Sequence, residues 1–192
     1  MITGRLVGIR PIEEEDLDVL TALANDPRIR ALVVGWDWMV SAGNQKEWLQ
    51  SAQRSQTTRR LMVVNKANGK SIGMTGLWNI DWHNRSALTA TKLLPDNGLK
   101  GAGSDAIMLI NAWSFREVGL RRLYSSILDF NTASLKAYVD KCGWSIEGRS
   151  REAIFRNGEW HDLVEVAMLK SDFDAHPDAL EYSDYIFPYK PN

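Results

Sequence analysis

The apolar positions of this chain switch between a period of two and a period near 3.6, and the switches lay out its elements. Leu6, Val7 and Ile9 make a short strand ended by Pro11. Glu13-Glu14-Glu15-Asp16 then opens a helix, because acids in a first turn complement its dipole. Leu17, Leu20, Leu23 and Ala24 supply that helix's apolar stripe, and Asn25-Asp26-Pro27 stops it. A second helix, with Trp48 and Leu49, runs from about Ser41 to Gln53. Arg60–Val64 and Ser71–Trp78 read as strands joined through the Asn68-Gly69 turn, and Ala87–Leu94 as a third. From Gly103 the helical period returns with Ile107, Ile110, Trp113 and Ser114, ending at Gly119. Leu123–Leu128 is the next strand, and Asn131 caps a helix carrying Leu135, Tyr138, Val139 and Cys142, closed by Gly143. Strands near Glu147–Phe155 and Leu163–Leu169 meet at the Asn157-Gly158 turn. This order predicts a mixed α/β fold on a mostly antiparallel sheet flanked by helices. Residues 171–192 change character, with Asp172, Asp174, Asp178, Glu181 and Asp184 alternating with Phe173, Tyr182, Tyr185, Phe187 and Tyr189. The chain therefore divides into a domain over 1–170 and an acidic, aromatic extension over 171–192. That extension has two uses, as a cover over a pocket or as a contact in a homodimer.

Composition narrows the function classes. At 192 residues, with 44% hydrophobic and 24% charged, the chain can bury a full core without metal or disulfide. The net charge of −1 gives no general pull toward nucleic acid or an anionic membrane. Cys142 is the single cysteine, and His83, His161 and His176 are scattered, so no metal site is expected. Arg5 and Arg10 interrupt the start too early for a signal-peptide core, and no run is long enough to span a bilayer. A cytoplasmic enzyme is the expectation.

The candidate chemistry begins where the third strand meets the long helix, at Leu93-Leu94-Pro95-Asp96-Asn97-Gly98-Leu99-Lys100-Gly101-Ala102-Gly103-Ser104. A helix start carries N–H groups without intrahelical partners, and Gly101 and Gly103 would let a phosphate approach them. A purely structural strand-to-helix glycine turn has the same look. Gly101-x-Gly103-x-x-Ala106 also satisfies the looser dinucleotide fingerprint, with Asp129 as a ribose-binding acid. Hairpins on both sides of the loop count against it, since a dinucleotide fold needs βαβ units in series. Asp129 also lies farther from Gly101 than the usual ~20 residues. The stretch from Val33 to Met39 has apolar bulk without period, and it reads either as packing under a loop or as a pocket wall.

Several motifs, in order and spacing, resemble the GNAT acetyltransferases (GCN5-related N-acetyltransferases), nearest the branch of ribosomal-protein N-terminal acetyltransferases. Gly98-Leu99-Lys100-Gly101-Ala102-Gly103 is similar to the family's Arg/Gln-x-x-Gly-x-Gly/Ala pyrophosphate loop, with Gly98 replacing the Arg or Gln. Asn131-x-x-Ser134-x-x-x-Tyr138 followed by Gly143-Trp144 and Glu147-Gly148 resembles the family's Asn-x-x-Ser-x-x-x-Tyr-x-x-x-Gly-Phe-x-x-Glu-Gly segment, although one residue longer before the glycine. Trp144 replaces the usual Phe. Leu6, Arg10-Pro11, Glu15-Asp16 and Asn25-Asp26-Pro27 match the branch's opening, and Arg151-Glu152, Asn157-Gly158 and Asp162 its closing hairpin.

The resemblance implies a splayed, mostly antiparallel central sheet and acetyl-CoA, or another acyl-CoA, as cofactor. It places the pyrophosphate on the N–H groups of Leu99, Lys100, Gly101, Ala102, Gly103 and Ser104. The pantetheine arm would lie beside Leu93 and Leu94, with Asn131 bonded to it. Lys136 and Lys141 would meet the adenosine phosphates or stand as solvated surface lysines. Tyr138 aligns with the proton donor to the leaving thiolate and Ser134 with its replacement in some relatives; Tyr138 is equally placed as core filler. The glutamate that relatives carry in the strand before the loop is absent, since Leu88 occupies its position. His83 or Asp81, at the entrance to the same strand, then stands to relay a proton through water or is simply a loop residue, with bulk solvent as the alternative. Trp36, Trp38, Trp78 and Trp82 would line the acceptor pocket. The implied activity is acetyl transfer to a primary amine of a small molecule. A peptide N-terminus as acceptor, or a CoA-binding relative without turnover, are the rivals.

Overall fold

The computed structural model describes residues 1–36 and 38–187, apart from the side chains of Ala52 and Gln53. Asp37, in the apolar stretch before the second expected helix, and Tyr189 in the tail lie outside the described residues. Strands β1 (Ile2–Thr3), β2 (Val7–Pro11), β3 (Arg59–Asn65), β4 (Ser71–Asp81), β5 (Ser86–Leu93), β6 (Arg122–Leu128), β7 (Ser145–Arg156) and β8 (Glu159–Leu169) form one sheet. Their order is β1-β2-β3-β4-β5-β6-β8-β7, and every neighbouring pair is antiparallel except β5 with β6. The helices are α1 (Leu17–Asn25), α2 (Pro27–Leu32), α3 (Ala42–Arg54), α4 (Ala102–Arg116), α5 (Thr132–Leu135), α6 (Lys170–Ala175) and α7 (Ala179–Ile186). A π-helical segment, Lys136–Lys141, continues α5. The mixed, mostly antiparallel sheet predicted from the hydrophobic pattern is the one observed.

Alternation along the strands feeds two cores. In β3, Val63 turns toward the face covered by α4, while Met62 and Val64 turn toward the face covered by α1 and α3. A bulge, with Val63 opposite Gly73 but Val64 opposite Ser71, puts Ile72 on the α4 face and leaves Met74 on the other. The bulge is tight: a Cβ on Gly73 would lie 2.1 Å from the Lys92 carbonyl oxygen.

Three expectations change. Asn25-Asp26-Pro27 does not simply stop a helix, because the Asp26 carboxylate accepts from the Arg28 N–H at 2.8 Å and caps α2 with Pro27 in its first turn. The single stripe expected of α4 is too narrow, since its residues are buried almost all round, from Ala102 to Phe115. The cause is the tail. Phe173, Ala179, Tyr182 and Ile186 pack into the same core as α4, so residues 171–187 are an integral layer of the domain and neither cover the pocket nor stand apart. A buried carboxylate holds this layer. Asp105, 3% exposed, accepts from the N–H groups of Leu6 at 2.7 Å and Val7 at 2.8 Å and from the Tyr182 hydroxyl at 2.5 Å. Outside it, Arg5 pairs with Asp178 and Glu181 of the tail.

Candidate functional site

The parallel pair is where the sheet opens. β5 and β6 are in register only at Ser86–Arg122, Ala87–Leu123 and Leu88–Tyr124. Beyond that point β5 stays with β4 as far as Gly73–Leu93, and β6 stays with β8 as far as Leu128–Leu163. Between them runs a V-shaped gap with two unpaired strand edges. The Leu94 N–H donates to the Ile72 carbonyl at 2.8 Å, so Leu94 does not donate into the gap. An antiparallel ladder alternates, and stepping back from Leu94 leaves the N–H groups of Leu93 and Thr91 facing the gap. An extended arm carrying amides can pair along such an edge as an added strand does.

At the open end of the gap the chain turns through Gly98 (φ 68°) and Gly101 (φ 92°), conformations that glycine adopts without strain. α4 then begins at Ala102 with no side-chain cap. Here the expected N–H cradle is trimmed. The Leu99 N–H is taken by Asn97 Oδ1 at 2.9 Å and the Ala102 N–H by the Leu99 carbonyl at 3.2 Å. Gly103 and Ser104, in the first helical turn, keep N–H groups without an intrahelical acceptor. Asp105, the first-turn acid, points to the Leu6–Val7 loop, so its bonds are spent away from the open end. Lys100 is exposed in this loop. Lys136 and Lys141 are exposed on the π-helical segment; Lys136 borders a separate shallow hollow of about 510 Å³ with Val139 and Ile146.

A cavity of about 830 Å³ occupies the gap and extends onto the α1/α3 face of the sheet. Tyr138 lies on its wall, 3% exposed, with its ring edge-on to Trp144 at 4.9 Å. Trp144, where the family has Phe, places its indole N–H 3.2 Å from the Asn111 side-chain oxygen, with that amide turned to donate to Ile107. Burial pushes the Tyr138 phenol well above the usual tyrosine range, and hydrogen bonds from the Thr91 hydroxyl and N–H pull the other way. So raised, the phenol holds its proton at neutral pH. Thr91 and Leu93 are two residues apart, roughly 7 Å along β5. Ser134 also lines the cavity. Asn131 does too, but its side-chain oxygen caps α5 through the Ser134 N–H at 3.1 Å and its amide donates to the Leu32 carbonyl at 3.4 Å.

Of the four tryptophans expected in the acceptor pocket, Trp36, Trp38 and Trp78 line the cavity. Trp82 does not; its indole N–H donates to the Gln56 carbonyl at 3.0 Å and ties down a loop. His83 is displaced as well. It sits exposed in the β4–β5 turn, at the opposite end of β5 from the glycine loop, and the five steps of strand from Ser86 to Thr91 alone span roughly 17 Å. His83 is not among the described residues that line the cavity.

The sequence reading missed three lining residues, Trp48, Arg60 and Lys92. The Arg60 guanidinium lies over the Trp48 ring at 4.3 Å, and the Lys92 ammonium over Trp36 at 5.0 Å and Trp78 at 4.6 Å. A signal was present in part. Arg60 shares a face with Met62, and Lys92 sits inside an otherwise apolar strand end, so each cation falls on a core-facing position.

A strand gap for an extended arm, a helix start for phosphates and a buried phenol at their junction define the class: an acyl-CoA-dependent acyltransferase. Residues 6–145 match the family model of the acetyltransferase (GNAT) domain, and the chain belongs to that family. It is an acetyltransferase, and its cofactor is the family's donor, acetyl-CoA. Two relatives cover nearly the whole chain. One is the SPbeta prophage-derived uncharacterised N-acetyltransferase YokL of Bacillus subtilis, 23% identical over 172 residues (90% of this chain, 94% of the relative). The other is a spermidine N(1)-acetyltransferase of Vibrio cholerae, 25% identical over 165 residues (86% and 94%). The structure of a Vibrio cholerae spermidine N-acetyltransferase in complex with CoA and spermine superposes with a TM-score of 0.80 at 24% identity, covering 86% of this chain and 96% of that one. These comparisons support the family without singling out its ribosomal-protein branch. No helix among the described residues is long and apolar enough to cross a membrane.

Proposed function

We propose that the protein acetylates the primary amine of a small molecule, with donor and acceptor bound together. The observation that carries this is the single cavity of about 830 Å³ that joins the β5–β6 gap to a tryptophan-lined chamber, the size of site that encloses a small ligand. Acetyl-CoA supplies a thioester whose carbonyl carbon the amine attacks, so that a C–N bond forms, the C–S bond breaks and a thiolate leaves. The Leu93 N–H faces the gap where that carbonyl oxygen would gain charge, and is the oxyanion donor in this reading. Tyr138, holding its proton beside Thr91, protonates the leaving sulfur. Gly103 and Ser104 receive the pyrophosphate, and Lys100 adds charge at the loop. Among the described lining residues there is no carboxylate or histidine, so the acceptor ammonium gives its proton to water.

The test is a panel of small primary amines and short peptides, followed by release of free CoA thiol, with acetyl-CoA binding measured alongside by calorimetry. Turnover confined to small amines is the expected result. Turnover confined to peptide N-termini would favour protein N-terminal acetylation, which the motifs shared with the ribosomal-protein branch keep in view. Binding without turnover would favour a non-enzymatic relative.

A further inference from the structure

The acceptor side of the cavity has an unusual charge balance. Its charged lining residues, among those described, are Arg60 and Lys92, both cationic. The two are close enough that Arg60 lowers the Lys92 pKa, an effect second to burial. Burial likewise lowers that of Arg60, and the Arg60 Nε is enclosed without a hydrogen-bond partner. The faces of Trp36, Trp48 and Trp78, which would otherwise hold a cationic guest, are covered by the chain's own cations.

We propose that the acceptor amine carries an anionic group, a carboxylate or a phosphoryl, seated between Arg60 and Lys92 with its apolar body against the tryptophans. This rests on the proposed small-amine activity and sets its substrate class. Two like charges held in one chamber, with no acid among its described lining residues, attract an anion and repel a cation. Arg60 has a guanidinium fork that suits carboxylate and phosphate alike. The Lys92 ammonium, depressed to about 8 in the empty cavity, is held charged by such a guest. A polyamine meets the opposite conditions, with two cations to repel it and no acid among the described lining residues to receive it. The chain thus departs from its spermidine-acetylating relatives on the acceptor side while keeping their fold.

The experiment reads binding and needs no turnover. Tryptophan fluorescence of the CoA-loaded protein is titrated with 3-phenylpropionate, its neutral amide, phenyl phosphate and spermidine. At least one of the two anionic probes should bind tenfold or more tightly than the amide and spermidine, and the stronger of them tells carboxylate from phosphoryl. Lys92→Met and Arg60→Gln should each cut that preference at least fivefold, and Arg60→Lys should restore part of it, with thermal melting confirming that each variant folds. Equal binding of anion and amide, tighter binding of spermidine, no binding of any probe, or a preference unchanged in folded variants overturns the proposal. Loss of turnover across the amine panel with the anion preference intact would instead strike the proposed acetyl-transfer reaction.

Discussion

Replacing Lys92 by methionine is expected to stabilise the protein at neutral pH, at the expense of its site. Burial, then the nearby Arg60 charge, push the Lys92 ammonium from 10.5 down to about 8. At about 1.4 kcal/mol per pKa unit, these two effects oppose folding by at most about 3.5 kcal/mol. The rings of Trp36 and Trp78, at 5.0 and 4.6 Å, return roughly 0.5–1 kcal/mol each. The side chain also keeps part of its surface open to the cavity. The net opposition is then about 1–2 kcal/mol. Because the folded-state pKa lies below the unfolded value, the unfolded chain holds a proton between pH 8 and 10.5 that the folded chain has released. Wild-type stability therefore gains from this group as pH rises through that window, and the opposition is complete only below pH 8. Methionine removes the charge, fills a similar volume and keeps a favourable sulfur–ring contact. Urea unfolding of both proteins at pH 7, 9 and 10.5 measures the difference. The variant should lead by about 1–2 kcal/mol at pH 7, and its lead should shrink by a like amount at pH 10.5. A less stable variant at pH 7, or a lead that does not change with pH, would refute the reasoning.

Other expectations follow from the geometry. Tyr138→Phe should lower kcat by about 100-fold or more, as loss of a general acid does, while acetyl-CoA affinity measured by calorimetry changes little. Gly103→Glu, which sets a carboxylate in the first turn of α4, should weaken acetyl-CoA binding by about tenfold or more through repulsion at the helix start. Tyr182→Phe strips the buried Asp105 of one donor and should cost about 1.5–3 kcal/mol in denaturant unfolding. Cys142, fully buried and with its thiol pushed up to about 12 by that burial, should resist thiol reagents at pH 8 until the protein is unfolded.

The fold was legible because its signals are local. The Arg60–Val64 strand, the Asn68-Gly69 turn and the glycine closing α4 are each written within a few residues. The tail was misjudged for a physical reason as well. Its acids are not a solvated run, since Asp178 and Glu181 pair with Arg5 from the opposite end of the chain. Its aromatics pack on α4, whose outer face carries small and apolar residues that no single stripe revealed. That contact joins segments far apart in sequence, and no periodicity reports it.

The site divides along the same line. The donor side is expected on two short segments, the glycine loop and the α5 region, which local motifs can report; that the N–H groups of Leu94, Leu99 and Ala102 are bonded within the chain is something no motif reports. The acceptor half is assembled from α3, β3, β4, β5 and the loop after α2, so its character depends on register. Lys92 stands opposite Met74 and Arg60 opposite Gly76, and only that register sets both cations on the face that carries Trp48 and Trp78. Tryptophan alone suggests a largely apolar acceptor pocket; tryptophan covered by lysine and arginine gives that pocket a positive charge. The apolar Leu88 in place of a glutamate belongs to the same charge balance. A carboxylate there would stand at the mouth of the gap, on the face shared with Ala90 and Lys92, and would neutralise the charge that makes this chamber selective for an anion. The missing base and the uncompensated cations are therefore one feature of the pocket, and they require an acceptor that brings its own negative charge.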